Sequence, residues 1–416
     1  ARRRGQLAAL GLPAGSVLAL ACDPGLGWTV TVLAAMAEGL VVVPLDPGAP
    51  AARLGAILED SGAALLWHEG LLADTGGLPC PHLDGRQVPG ADPRRDPCKV
   101  GPEAAAYLLY TSGTTGRPKG VRVGHGAFER HCRSAISAFG LRAEDRGLVF
   151  APPYFDASWE QLFAPLVAGA SVLVRDAELW APEDLCRRIT AAKVTCADLP
   201  PQYLRELLFF LERRPGCVPP SLRMVLSGGE AMPSQVAQAW LRGPLAHLPL
   251  INVYGPTEGI VTTTCHRIDR EARIVTAGNT VPIGQPMPGR VLRILDGRGR
   301  AVAAGMAGEL CLGGPCLADG YQGDAAPGAF RAWLATPEGG RWAEADTPGS
   351  LRLYRSGDRV RIGPDGHLEF LGRIDRQIKV RGFRIEPGEV EARLAGHPAI
   401  AQALVVGRAH PAQGVQ

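Results

Sequence analysis

The segment from Tyr110 to Gly120 restricts most strongly what this chain can fold into, because it combines hydroxyl side chains, three glycines and a lysine. It follows an apolar run, 107–110, that is typical of a buried strand. Glycines let backbone N–H groups approach an anion, and Lys119 adds a positive charge, so the loop is suited to binding phosphates. It is not a Walker loop, because Pro118 stands where the second glycine of that pattern would be. A nucleotide site here therefore requires another fold, and the alternative is an ordinary turn after a strand.

Length and composition exclude several classes of protein. A chain of 416 residues, 46% of them hydrophobic and 20% charged, buries a large core and divides into two or more structural units. The net charge of +3 gives no support to nucleic-acid binding, and the apolar runs are too short or too interrupted for a membrane span or a secretion signal. The ten cysteines include no Cys-x-x-Cys pair, which is typical of reduced thiols. We expect a cytoplasmic protein without nucleic-acid or membrane partners.

The order of the expected elements indicates an α/β fold with a later β section. Helical and strand patterns alternate in the first hundred residues and again in the middle of the chain, which is typical of largely parallel sheets. Short strands and turns dominate from about Val291. The chain is charged and rich in glycine around Asp375 and becomes helical from Pro387. We therefore expect one domain at 1–374 and a second at 375–416.

Five further motifs follow the first loop in a fixed order. They are the segments Tyr154–Ser158, Asn252–Glu258, Gly308–Gly314, Tyr354–Asp358 and Gly372–Gly382. Together with the loop, they make the whole chain resemble an adenylation domain of nonribosomal peptide synthetases. These domains form one branch of the adenylate-forming superfamily, which also contains acyl- and aryl-CoA ligases and luciferases. The resemblance implies a large N-terminal core of two α/β sheet subdomains plus a β-barrel-like section. The start of a small, mobile α+β C-terminal subdomain would follow, hinged at Asp375.

The resemblance implies that the protein uses ATP and Mg²⁺ to convert an amino acid into aminoacyl-AMP, with release of pyrophosphate. A carboxylate oxygen attacks the α-phosphorus, so the enzyme needs no covalent nucleophile but must align two anions and neutralise phosphate charge. By resemblance, the β- and γ-phosphates are surrounded by Thr111, Ser112, Gly113, Thr114, Thr115, Gly116 and Lys119. Thr257 would contact the α-phosphate, and Glu258 would bind Mg²⁺, which prefers hard oxygen ligands. A solvated turn residue is the alternative for Glu258.

Nucleotide recognition is likewise implied by the resemblance. It involves Asn252, Tyr254, Gly255, Gly229, Glu230, Asp358 and Arg373. Tyr254 would stack on adenine while Asn252 contacts its edge. Asp358 would accept the ribose hydroxyls, and Arg373 would reach the ribose or a phosphate. A tyrosine of the core and an aspartate of a turn are the alternatives for Tyr254 and Asp358.

Asp156 decides between the branches of the superfamily. A carboxylate in the substrate site can pair with an α-ammonium group, and members that activate aryl acids usually carry Asn at this place. The alternative is that Asp156 caps the helix that begins near Trp159. Alignment with the family gives a substrate pocket of Asp156, Ala157, Glu160, Asp198, Leu226, Gly228, Val253, Val261 and Thr262. A shift by one residue would replace Glu160 in this pocket by Trp159.

The pocket would contain two carboxylates besides Asp156, from Glu160 and Asp198. Half-buried carboxylates are costly unless a cation joins them, so we expect a basic substrate. Lysine, ornithine, a shorter diamino acid or a β-amino relative would fit. The alternative is a neutral polar substrate, with one carboxylate bonded to backbone or water.

The resemblance also implies partners and exposes departures from the family pattern. The acyl group would pass to the phosphopantetheine thiol of a carrier domain, and a small accessory protein is a further candidate partner. Only about forty residues follow Asp375, and the near-terminal lysine that bridges carboxylate and phosphate in the family has no counterpart. We interpret the sequence as a piece of a larger protein. An acyl- or aryl-CoA ligase, or a fragment that binds ATP and amino acid without full catalysis, are the alternative functions.

Overall fold

The computed structural model describes residues 1–70, 72, 77–89, 96–113, 117–269, 279–323, 326–380, 383–397, 399–400, 402–410 and 414–415. Two sheets flanked by helices, a third antiparallel sheet and two short hairpins make up these residues. The predicted α/β fold class is thereby confirmed. In the described ranges, no helix combines the length and the apolar character needed to cross a membrane.

The first unit contains a seven-stranded sheet. Its strands are β1 (Val17–Ala21), β2 (Val41–Leu45), β3 (Leu65–His68), β4 (His82–Asp84), β5 (Ala105–Thr111), β6 (Lys119–Gly124) and β16 (Gly320–Tyr321). Its helices are α1 (Arg2–Ala9), α2 (Leu26–Ala37), α3 (Ala51–Ser61) and α4 (His125–Phe139). The strand order is β16-β6-β5-β2-β1-β3-β4, and the strands from β5 to β4 in this order are parallel. The carboxyl ends of β5 and β2 therefore lie at one edge of the sheet.

The second unit repeats this architecture. Its strands are β7 (Arg146–Val149), β8 (Ser171–Val174), β9 (Cys196–Asp198), β10 (Met224–Ser227), β11 (Leu250–Tyr254), β12 (Thr264–Ile268) and β13 (Gln285–Pro286). Its helices are α5 (Asp156–Val167), α6 (Pro182–Ala191), α7 (Pro201–Arg213) and α8 (Ser234–Arg242). The order is β13-β12-β11-β10-β9-β7-β8, with β11 to β8 parallel. The carboxyl ends of β9, β10 and β11 thus form a second edge.

The predicted β section is an antiparallel sheet. It contains β14 (Val291–Leu295), β15 (Gly308–Gly313), β17 (Phe330–Leu334), β18 (Arg341–Ala343), β19 (Leu351–Ile362) and β20 (Leu368–Arg373). The order is β14-β15-β19-β17-β18, and β20 also pairs with the long strand β19. The C-terminal segment, 375–416, adds β21 (Ile378–Val380), β22 (Phe383–Ile385), α9 (Pro387–Ala395), β23 (Ala409–His410) and β24 (Gly414–Val415).

An aromatic cluster joins the first two units. Trp159 of α5 is fully buried, and its ring centroid lies 4.3 Å from that of Tyr107 on β5 and 6.4 Å from that of Trp28 on α2. Phe128 of α4 meets the same indole edge-on at 6.0 Å. Trp159 therefore belongs to the core, and the next residue, Glu160, is the one whose side chain reaches the pocket described below.

Candidate active site

A cavity of about 720 Å³ lies where the carboxyl ends of the parallel strands in the first two sheets meet. This is the usual position of ligands in open α/β sheets. The structure brings eight of the predicted site residues to its wall, namely Thr111, Ser112, Asp156, Gly229, Gly255, Thr257, Asp358 and Arg373. The C-terminal segment closes another side of the cavity with Gln377, Lys379 and Arg384. The predicted nucleotide and substrate residues thus share one space.

The predicted phosphate loop connects the antiparallel strands β5 and β6. At the two ends of the loop, Thr111 of β5 pairs with Lys119 of β6. Gly113 has no room for a side chain, because a Cβ there would lie 1.9 Å from the carbonyl oxygen of Arg117. The predicted residues Thr114, Thr115 and Gly116 lie outside the described part of the chain. Thr111 and Ser112, at the β5 end of the loop, line the cavity, and the contacts of the loop with phosphates remain a prediction.

Glu258 lies in a short helical turn after β11 and is completely buried. The hydroxyl of Tyr321 donates to its Oε1 at 2.5 Å. Nη1 of Arg384 donates to both carboxylate oxygens, at 3.0 and 2.9 Å. Burial opposes ionisation of this carboxyl, but the charge of Arg384 and the hydroxyl of Tyr321 outweigh it and hold the pKa of Glu258 below its usual value. The predicted metal ligand is therefore an ionised carboxylate paired with an arginine.

The surroundings of Glu258 fit Mg²⁺ only together with a nucleotide. Among the described residues, no group of three or more His, Cys, Asp or Glu side chains could hold a metal ion by itself. Mg²⁺ commonly binds one or two carboxylates and completes its shell with waters and substrate phosphates. The guanidinium of Arg384 stands where such a cation would face Glu258. The carboxylate could hold the metal after Arg384 has moved away.

Asp358 forms the centre of a polar cluster at the nucleotide end of the cavity. The hydroxyl of Tyr254 donates to its Oδ2 at 2.5 Å, and Nη1 of Arg373 donates to its Oδ1 at 2.9 Å. Arg373 is also paired with Asp375, the predicted hinge residue. The structure thus brings together three of the residues predicted to bind the nucleoside.

Asn252 has a different environment from the one expected. Its side chain is 2% exposed, and its Nδ2 donates to the carbonyl of Pro282 at 2.8 Å. The amide hydrogen bond therefore ties β11 to the segment that precedes β13, and this donor is not directed to an adenine edge. Of the two predicted nucleotide-binding residues that follow β10, Gly229 lines the cavity, and Glu230 is half-buried beside it.

Asp156 is the first residue of α5 and lines the large cavity, with Ala157 half-buried beside it. The N-cap position is Phe155, so Asp156 stands at the first helical position and not at the cap, although its carboxylate also accepts a hydrogen bond from the backbone of Ala157. Burial raises the pKa of Asp156, against the effects of the Thr257 hydroxyl and the Lys379 charge. Burial also lowers the pKa of Lys379. Lys379 had no predicted role, although it is one of only four lysines in the chain, and this rarity was a signal.

A second cavity, of about 40 Å³, lies between α5, β9 and β10, with Glu160, Asp198 and Leu226 in its wall. Burial, and next the negative charge of Glu160, raise the pKa of Asp198 to about 7. Gln161 donates from Nε2 to Oδ2 of Asp198 at 3.1 Å. The carboxyl group of Asp198 therefore titrates close to neutral pH.

The remaining residues of the predicted pocket do not all lie at the small cavity. Gly228 lies against Val253, since a Cβ on Gly228 would be 2.5 Å from Val253 Cγ2. Thr262 donates from Oγ1 to Oε1 of Glu160 at 3.1 Å. Val261 packs into the large aromatic core cluster instead of facing the small cavity. Of the nine predicted pocket residues, Glu160, Asp198 and Leu226 line the small cavity and Asp156 the large one, and their contacts with a substrate stay a prediction.

The expectation that both pocket carboxylates await a substrate cation is wrong for Glu160, which has partners inside the protein. Besides Thr262, Nε2 of His131 lies 2.9 Å from its Oε2. His131 in turn contacts Nη2 of Arg290 at 2.7 Å. Asp198 has no basic partner within the described part of the chain. Sequence reasoning missed His131 and Arg290 because they are distant in sequence from Glu160 and form no local pattern with it.

The chain is similar to known proteins along nearly its whole length. The sequence profile of the AMP-binding enzyme family matches residues 5–322. Phosphinothricin tripeptide synthetase PhsC of Streptomyces viridochromogenes is 38% identical over 412 residues, which cover 97% of this chain and 35% of that protein. An isonitrile lipopeptide synthase of Streptomyces coeruleorubidus is 35% identical over 413 residues, 97% of this chain and 26% of that protein.

A solved nonribosomal peptide synthetase protein containing adenylation and PCP domains has a TM-score of 0.83 to this chain at 28% identity. The match covers 100% of this chain and 69% of that one. The chain spans about a quarter to a third of the length of the two curated relatives.

Proposed function

Because this chain belongs to the AMP-binding enzyme family of adenylate-forming ligases, we propose that it activates an amino acid as aminoacyl-AMP and releases pyrophosphate from ATP. The observation that carries the proposal is that Asp156 shares one cavity with Thr111 of the phosphate loop and with Asp358. A carboxylate there can pair with an α-ammonium group. The substrate carboxylate would then be aligned for attack on the α-phosphorus.

The residues around the cavity divide the remaining work. We assign phosphate contacts to Ser112, Lys119 and Thr257, and ribose contacts to Asp358 with Arg373. Donors held in place before the reaction stabilise charge that develops on the phosphates. Mg²⁺ bound through Glu258 would neutralise charge on the leaving pyrophosphate. A carboxylate oxygen forms the new bond to phosphorus while the bond to pyrophosphate breaks, so no protein nucleophile is needed.

We assign a basic side chain to the substrate, recognised by Asp198. This carboxyl group lies in the wall of the small cavity, titrates near neutral pH and has no basic partner in the described residues. A cation placed beside it would supply the missing counter-charge. Lysine, ornithine and shorter diamino acids carry a suitable terminal ammonium group.

We also assign the aminoacyl group a further acceptor, the phosphopantetheine thiol of a carrier domain. The names of the relatives and the combination of adenylation and PCP domains in the similar structure support this assignment. All ten cysteines are free thiols, which supports a cytoplasmic location.

The segment 375–416 is assigned to a subdomain that moves at Asp375. It reaches the cavity with Lys379 and Arg384. It is fastened to the first unit by a partly exposed ion pair of 2.7 Å between Arg53 and Glu389. An exposed pair of this kind contributes roughly 1 kcal/mol or less, so movement at Asp375 has to break mainly the buried ion pair of Arg384 with Glu258.

The test is amino-acid-dependent ATP–pyrophosphate exchange, measured on the full-length protein with a panel of amino, aryl and fatty acids. We expect exchange with amino acids, and a loss of about a hundredfold or more in Asp156→Asn, since the α-ammonium loses its charged partner. Exchange that responds to aryl or fatty acids and to no amino acid would identify a CoA ligase instead.

A further inference from the structure

Three polar side chains form a line behind the small cavity, and only the last of them belongs to the predicted pocket. Nη2 of Arg290 lies 2.7 Å from Nδ1 of His131, and Nε2 of the same ring lies 2.9 Å from Oε2 of Glu160. His131 is fully buried and Glu160 is 5% exposed. The line runs from a positive charge, through an imidazole, to a negative charge.

The protonation of the imidazole follows from its neighbours. A guanidinium has only N–H donors, so Nδ1 of His131 must accept the hydrogen bond from Arg290. The ring proton is then on Nε2 and points towards Glu160. Burial lowers the pKa of His131, which agrees with a neutral ring. His131 Nε2 and Glu160 Oε2 lie 2.9 Å apart but are not aligned as a hydrogen bond, and neither atom has a hydrogen-bond partner elsewhere in the described residues, so the close approach of the two groups is the only polar contact open to each.

Arg290 is held rigidly at the far end of the line. Its guanidinium donates to the carbonyls of Gly259 at 2.6 Å, Thr262 at 2.8 Å and Ile260 at 3.1 Å. These carbonyls belong to the turn that also carries Glu258 and to the loop after it. The position of the imidazole is therefore fixed by backbone on the opposite side from the pocket.

Building on the proposed function, we propose that His131 is a specificity-determining, positioning residue. With its Nε2 proton beside Oε2 of Glu160, 2.9 Å away, it makes one of the two pocket carboxylates less dependent on a substrate cation, so the pocket selects amino acids whose side chain carries one positive charge, placed at Asp198. His131 touches Glu160 and not the substrate, so it acts through that carboxylate. Without the imidazole, Glu160 would be a second uncompensated charge, which a cationic substrate would have to balance.

Two substitutions of His131 separate this role from simple packing. The longer amide of His131→Gln reaches the position of Nε2 and can still donate to Glu160. The shorter amide of His131→Asn reaches only the position of Nδ1 and leaves Oε2 without its donor. The readout is the lysine-to-norleucine ratio of kcat/KM in pyrophosphate exchange by the full-length protein, measured near pH 8.5, above the pKa of about 7 of Asp198.

We expect His131→Asn to raise this ratio about tenfold or more, mainly through KM, and His131→Gln to keep it close to that of the wild type. In the double variant His131→Asn/Glu160→Gln the gain should disappear, because no charge is left to balance. Thr262→Val removes the other donor to Glu160 and should raise the ratio in the same direction. It therefore replaces His131→Asn if that variant does not fold.

Calorimetry of lysine and norleucine binding gives the corresponding ratio of their dissociation constants, which does not depend on turnover. Equal ratios in His131→Asn, His131→Gln and the wild type, with lysine still activated, would overturn the role of His131 alone. A gain that survives Glu160→Gln would do the same. Absence of any amino-acid-dependent exchange in the wild type would reject the proposed function, whereas the binding ratios would still decide the role of His131.

Discussion

Arg384 donates from one nitrogen, Nη1, to both carboxylate oxygens of Glu258, so a side chain of the C-terminal segment faces the carboxylate predicted to bind Mg²⁺. A second contact fixes the same residue, because Ser112 of the phosphate loop donates to the backbone carbonyl of Arg384 at 2.7 Å. The guanidinium and a metal ion cannot both neutralise the same two oxygens. We therefore predict that binding of Mg²⁺ and nucleotide would compete with this position of the segment.

Removing the Arg384 charge should strengthen the binding of Mg·ATP. In Arg384→Gln the metal no longer displaces a charged donor, and hydrogen bonds to charged groups contribute roughly 1.5–3 kcal/mol, so we expect an affinity about tenfold higher. Titration calorimetry with Mg·ATP measures the change. Arg393→Gln is the matched control, because it removes the same charge from an exposed cavity residue of the same segment. Weaker binding in Arg384→Gln alone would mean that Arg384 contacts the nucleotide.

Glu258→Gln should reduce Mg²⁺-dependent exchange far more than amino-acid binding. The amide keeps the shape of the side chain but lacks the charge that a hard cation requires, so we expect a loss of about a hundredfold in kcat. Exchange rates at increasing Mg²⁺, together with calorimetry of the amino acid, measure the two effects. A variant with full exchange activity would show that Glu258 does not hold the metal.

Local sequence patterns predicted much of the order of helices and strands. The alternation of helical and strand patterns expected in the first hundred residues and in the middle of the chain is present, for example in β2 and α3 and in β8 and α6, because period and turn residues are local properties. The choice between Trp159 and Glu160 was not local. Both are buried on the same helix, and only the aromatic ring of Tyr107, from another sheet, shows which one belongs to the core.

The site was predictable where a motif supplied its residues and not where distant segments meet. Asp156 and Thr257 come from two different motifs, and both line the large cavity. The ion pair of Glu258 with Arg384 and the line from Arg290 to His131 join residues far apart in the chain. Such pairs depend on packing between units, so the sequence could name the carboxylates but not their partners.

Asp198 should make folding stability depend on pH around neutrality. Its pKa is raised from 3.8 to about 7, mainly by burial, so the folded state binds this proton more tightly than the unfolded chain. The stabilising effect is complete below about pH 4 and is lost as the pH rises through 7. Asp198→Asn cannot ionise, so relative to this variant the wild type should lose stability between about pH 5 and pH 8. Thermal melts across this range measure the difference.

Asp145→Asn is the control for that experiment. Burial raises the pKa of Asp145, but hydrogen bonds from Arg223 and Thr195 outweigh this and lower it to about 2. Its carboxylate is fully ionised from pH 5 upwards, so this substitution should change the free energy of unfolding by a constant amount over the same range. A constant offset for Asp198→Asn as well would contradict a titration of Asp198 near 7.

Lysine should be preferred over norleucine, because the two share a four-carbon stem and differ in the terminal ammonium group that Asp198 would pair with. A hydrogen bond to a charged group contributes roughly 1.5–3 kcal/mol, so we expect a ratio of kcat/KM of about ten- to a hundredfold. Asp198→Asn should lower this ratio while keeping the shape of the pocket. The preference should also fall below about pH 7, since protonation of Asp198 removes the charge that holds the ammonium group, and the Asp198→Asn variant should lack this pH dependence. Exchange assays with both amino acids at several pH values measure all three effects. Equal activation of norleucine and lysine at high pH would show that the substrate is not basic and that Asp198 serves another contact.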